Sequence, residues 1–161
     1  MRAFWEHGYE AVSIADLTRA MDIKAPSLYA AFGDKRTLFE EAVEAYVNSY
    51  GVFTVQALAE APTARAAVDR LLHEAAVSHT LPGLPRGCLL ISAATNCTEQ
   101  SSDVAEALKE RRNAGVAFIE QRIAADRATL EAVADFAMRA WPRERAGETS
   151  SDTGEASSDA G

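Results

Sequence analysis

The chain has 161 residues, 48% hydrophobic, 25% charged and 7% aromatic, a composition that buries a core and excludes collagen-like and fully disordered chains. Its length suits one domain, or a small module sharing a core with a larger one. With 16 Lys and Arg against 24 Asp and Glu, the formal charge is −8, so the chain does not coat nucleic acid by charge alone and any DNA contact runs through a local patch.

Helical periodicity from Met1 to Trp141, with no two-residue alternation, predicts an all-α fold. A short first helix, Met1–His7, is expected to stop at Gly8, where positive φ is cheap. Ser13 and Asp16 are spaced as a capping box for a helix over Ile14–Met21. After a tight turn at Asp22-Ile23, Pro26 suits the first turn of a third helix, Ala25–Phe32, which Gly33 ends. Asp34 then caps a long fourth helix, Lys35 to about Ala59, bent at Gly51.

Pro62 stops that helix and Thr63 caps the next, Ala64–His79; Pro82, Gly83 and Pro85 make a loop. The apolar and small run Gly87–Thr95 predicts a buried central helix with a polar exit over Asn96–Ser102. Asp103 and Glu106 suggest a second capping box, followed by helices Val104 to about Ala124 and Arg127–Trp141. Pro142 ends the ordered chain, and Gly147–Gly161, made only of Gly, Glu, Thr, Ser, Asp and Ala, reads as a solvated tail.

Helices Ile14–Met21 and Ala25–Phe32 with their short turn form a helix-turn-helix, whose second helix fits a major groove about 12 Å wide. Its outer face presents Lys24, Pro26, Ser27, Tyr29 and Ala30, small, polar or cationic groups, while Leu28 and Phe32 point inward. Lys35 and Arg36, at the start of the fourth helix, add cations beside exposed amides, an arrangement suited to phosphate. Over Ser13–Phe39 four cations (Arg19, Lys24, Lys35, Arg36) meet three acids (Asp16, Asp22, Asp34), a local +1 within a chain of −8.

Phe4-Trp5-Glu6-His7-Gly8-Tyr9-Glu10, Ser13-Ile14-Ala15-Asp16-Leu17 and Ser27 through Phe39 together resemble the TetR/AcrR family of bacterial transcriptional regulators, and Arg86-Gly87-Cys88-Leu89-Leu90 resembles a motif of one of its subgroups. The resemblance implies a DNA-binding domain over residues 1–45, a helical ligand-binding and dimerisation domain over 46–142 and a disordered acidic tail over 143–161. It places Lys24, Ala25, Pro26, Ser27 and Ala30 nearest base edges, and Ser13, Tyr29 and Lys35 at phosphates. Plainer accounts stand beside these: the Tyr29 ring also suits packing on the neighbouring helix, and Lys35 suits a solvated surface. The expected partners are an operator of double-stranded DNA, a second copy of the chain and a small, largely apolar effector of unknown identity. Effector binding would tilt the helix that starts at Lys35 and change the spacing of the reading heads.

Cys88 and Cys97 make no disulfide framework, and no Cys/His spacing matches a zinc site, so a reducing compartment and no metal or cofactor are expected. The two thiols read either as a sensor of electrophiles, as in some members of the subgroup, or as small core residues. His73 and His79 do not share a helical face. No apolar run reaches the roughly 18–20 residues of a membrane span, and Met1–Trp5 lacks signal-peptide character, so a soluble cytoplasmic protein without membrane contact is expected. No nucleophile, base or phosphate loop stands in a recognisable frame, which argues against an enzyme. The rival expectation is a shortened family member acting as a helical ligand-binding or interaction module without DNA binding.

Overall fold

The computed structural model describes residues Met1–Ala140, which contain helices and no strand. Trp141, the stop at Pro142 and the acidic tail over 143–161 lie outside the described residues. The chain divides into a compact unit, Met1–Arg127, and a second unit from Ala128 onward.

Helix α1, Arg2–Ala11, does not end at Gly8 as expected; its backbone breaks there (φ 80°, ψ 173°) and turns helical again. Helix α2, Ile14–Met21, carries the expected capping box. Ser13 Oγ accepts from Asp16 N–H at 3.1 Å, and Asp16 Oδ2 accepts from Ser13 N–H at 3.1 Å. Asp22 closes α2 in the left-handed region (φ 53°), and Ile23 N–H donates to Thr18 O at 3.0 Å. Helix α3, Ala25–Phe32, has Pro26 in its first turn and Gly33 after its last. Asp34 caps α4 by accepting from Thr37 N–H at 2.7 Å.

Four further expectations change. The long fourth helix is two: α4, Lys35–Val47, and α5, Phe53–Glu60. Between them Gly51 N–H folds back onto Tyr46 O at 2.9 Å, a return so tight that a Cβ on Gly51 would stand 3.2 Å from Val47 Cα. After α6, Ala64–Ser78, the expected buried helix over Gly87–Thr95 is one turn, α7, Leu89–Ser92, with Gly87 outside it at φ 79°. Gly87 O accepts from Trp5 Nε1 at 2.9 Å, and Gly87 N–H donates to His79 O at 3.0 Å.

The second capping box forms at Thr98 and Ser101, around a 3-10 turn over Glu99–Ser101, and not at Asp103 and Glu106. Asp103 instead pairs with Arg36, and Glu106 with Lys109 at 3.0 Å. Finally, α8 runs from Ser102 to Ala140 without the expected break near 125. Within the continuous helix Asp126 accepts from Arg122 and from Ala64 N–H at the start of α6. Ala124 and Ala125, good helix formers, supply no stop.

One core joins the helix-turn-helix to the rest of the compact unit. Phe4 and Trp5 of α1, Leu17, Leu28, Leu38, Phe39, Val43 and Tyr46 pack with Leu89, Ala93, Val104 and Leu108. Trp5 meets Tyr46 edge-on at 4.8 Å, and Phe4 meets Phe39 likewise at 5.1 Å, each pair adding about 0.5–1.5 kcal/mol beyond area burial. The helix pair α5 and α6 is fastened to α8 by Arg122, which donates to Leu58 O at 3.2 Å and Ala61 O at 3.1 Å.

Candidate nucleic-acid interface

Helix α3 is short, capped at both ends by backbone geometry, and anchored by Leu28, which is fully buried. That single anchor leaves Lys24, Pro26, Ser27, Tyr29 and Ala30 exposed, with Ala25 half-buried. Tyr29 is 49% exposed, so its ring is not consumed by packing on a neighbouring helix. Phe32 is half-buried against the core, on the inward side that its spacing from Leu28 demands. Lys24, the residue just before α3, is exposed and makes no ion pair among the described residues.

The other cations are engaged. Arg19 pairs with Asp16 at 3.1 Å and Arg36 with Glu40 at 2.9 Å, and Arg36 also with Asp103. These pairs are exposed, worth little each, and readily exchanged for a phosphate. Ser13 is exposed, but its hydroxyl is held by Asp16, to which it donates at 2.5 Å while accepting from the Asp16 N–H.

Lys35 is half-buried and reaches back across α1. Its Nζ lies 4.4 Å from the Tyr9 ring centroid and 3.5 Å from Glu10 O. Burial pushes the Lys35 pKa down, while the Glu10 carboxylate opposes that shift. Sequence reasoning had no signal for this seat, since Tyr9 and Lys35 are brought together only by the packing of α1 on α4.

A second feature of the compact unit is a cavity of about 570 Å³. Tyr46, Phe53, Val55, Leu71, Leu90 and Phe118 make its wall apolar, and His79, Cys88 and Arg111 supply polar groups. Burial lowers the His79 pKa, which favours the neutral imidazole. Burial, then the neighbouring Cys88, push the Tyr46 hydroxyl's pKa well above its ordinary value. Cys97 is not on that wall; its Sγ donates to Ala93 O at 3.4 Å, and both thiols are free. No effector-contacting residue was expected from sequence, because the cavity's lining comes from five separate stretches between residues 46 and 118.

The family model of bacterial regulatory proteins of the tetR family matches residues 1–42, the stretch that holds α1, α2, α3 and the start of α4. The structure of a cysteine mutant of the TetR family transcriptional regulator CifR, complexed with 26bp double-strand operator DNA, superposes with a TM-score of 0.76 at 41% identity. The match covers 79% of this chain and 66% of that one. This chain belongs to the TetR family. Among curated relatives, this TetR-family chain is 36% identical over 112 residues to the HTH-type transcriptional repressor ComR of Escherichia coli (strain K12), covering 69% of this chain and 53% of ComR. It is 31% identical over 102 residues to the repressor BdcR of the same organism, covering 63% of this chain and 52% of BdcR. The chain therefore spans about half the length of the curated relatives it matches. These relatives are regulators of transcription, a class that is not enzymatic.

Proposed function

We propose that this chain is a ligand-responsive transcriptional repressor that sets α3 in the major groove of a palindromic operator as a homodimer. The observation that carries the reading is the exposed α3 face of Lys24, Pro26, Ser27, Tyr29 and Ala30, presented by a capped helix-turn-helix in a chain similar to a regulator solved with operator DNA. On this reading Lys24, Ala25, Pro26, Ser27 and Ala30 lie nearest the bases, and Ser13, Tyr29 and Lys35 nearest phosphates. Only Lys24 of the base-facing set brings a strong donor, so apolar contact and DNA shape share in the discrimination. The relatives' repressor names and the exposed α3 favour this over a bundle that has no DNA role.

The DNA-reading part takes residues 1–45, a boundary inside α4, and the effector and dimer part residues 46–142, with 143–161 as a tail. The apolar cavity would take a small, largely apolar effector, and Cys88 on its wall is the thiol that an electrophilic effector would meet. In the second unit, Leu130, Val133 and Phe136 are 70%, 60% and 70% exposed, an apolar face suited to a second copy of the same helix. Such a regulator works in the cytoplasm and performs no catalysis. Sedimentation of the purified chain with a labelled fragment of the DNA beside its own gene tests the reading. A dimer that shifts this DNA and releases it in high salt is the expected result; a chain that ignores DNA at low salt overturns it.

A further inference from the structure

The break at Gly8 leaves the last turn of α1, Tyr9–Ala11, without a helix to aim it, because the backbone there departs from helical geometry (φ 80°, ψ 173°). Two side chains from the junction between α7 and α8 straddle the break. Before it, Asn96 Nδ2 donates to His7 O at 3.2 Å, and Gly8 lies so close that a Cβ would stand 2.9 Å from Asn96 Oδ1. Beyond it, the Ser101 hydroxyl donates to the Glu10 carboxylate. Ser101 is only 5% exposed, and its oxygen also accepts from Thr98 N–H at 3.1 Å, with Thr98 O a longer alternative acceptor at 3.4 Å. The segment it holds is the seat of Lys35, made of the Tyr9 ring and Glu10 O.

We propose that Ser101 and Asn96 are positioning residues for DNA binding: from the junction between α7 and α8 they hold the turn of α1 on which the Lys35 ammonium rests. Neither touches DNA; both act through Lys35, and the proposal rests on the reading that Lys35 meets a phosphate.

Two measurements on the full chain test this. In NMR spectra without DNA, the Lys35 side-chain methylenes are expected to carry an upfield ring-current shift from Tyr9. Ser101→Ala and Glu10→Ala are expected to move it toward the solvated value, while Glu10→Gln, which retains an acceptor for Ser101, keeps it. Unchanged shifts in Ser101→Ala and Glu10→Ala overturn the seat. The second measurement uses the duplex that the wild-type chain selects from a random-sequence pool. Ser101→Ala is expected to weaken binding by roughly 3- to 10-fold alone and by under about 2-fold in a Lys35→Ala background, with a shallower salt slope. Equal losses in both backgrounds overturn the coupling to Lys35. A wild-type chain that selects no duplex overturns the DNA reading and this use of the seat with it, while the NMR result still decides whether the seat exists.

Discussion

Replacing Gly8 by alanine isolates the strain that the first helix carries. Gly8 sits at φ 80° and ψ 173°, a region that is essentially glycine's own and costs another residue about 1–3 kcal/mol. The new Cβ would also stand 2.9 Å from Asn96 Oδ1 and 3.1 Å from Nδ2, so Asn96 must move and its bond to His7 O is lost, about 0.5–1.5 kcal/mol more. Straightening α1 is no escape, because it would rotate Val12, 2% exposed, out of the core. The sum, roughly 1.5–4.5 kcal/mol, corresponds to a fall in Tm of about 3–18 °C for a chain of this size. Circular dichroism at 222 nm during heating reads it, and Asn96→Ala as a second background separates the contact from the strain: there Gly8→Ala should cost less, with the strain remaining. A fall of under about 2 °C in the wild-type background would refute the reasoning.

Lys35→Ala is expected to weaken binding to all duplexes about equally and to reduce the salt slope by roughly one, whereas Lys24→Ala should alter sequence preference; fluorescence anisotropy across a salt series and a set of mutated sites separates the two. Gly115 lies within α8 with nothing inside 4 Å of a would-be Cβ, so Gly115→Ala should stabilise by about 0.5–1 kcal/mol, read as a Tm raised by about 1–4 °C in calorimetry. The Ala64 N–H, then Arg122, hold the Asp126 carboxyl below its ordinary value of 3.8. Its stabilising contribution is therefore complete above about pH 4 and is lost as pH falls through the lower folded value. Asp126→Asn should thus be less stable than wild type at pH 7 and converge with it in strong acid; a constant gap in urea melts from pH 7 to pH 2 would contradict the assignment.

The helix-turn-helix was legible because its instructions are short-range. Ser13 with Asp16, Pro26 in a first turn, Gly33 and the Asp34 cap each act within four residues, so α2 and α3 lie over the residues expected. The spacing of Leu28 and Phe32 likewise told which face of α3 turns inward, and thereby which residues stay exposed. The candidate DNA face was readable for the same reason, and the family resemblance added roles that spacing alone does not assign.

What tertiary structure decided are the places where one group has two suitors far apart in sequence. The helix break expected near 125 does not form: Asp126 serves Ala64 N–H, 62 residues away, and α8 runs through. Gly87 was expected to enter a central helix, but its carbonyl takes the Trp5 indole and its N–H takes His79 O, and it stays outside α7. The cavity and the seat of Lys35 are of the same kind, since each is built from side chains of separate helices. Local hydrogen bonds and apolar spacing are written into consecutive residues, so the sequence by itself determined an all-helical chain with a capped reading helix. Competition for a buried donor or acceptor is settled only when the distant partner arrives, and that contest decided where helices end, where the cavity opens and where the cation rests.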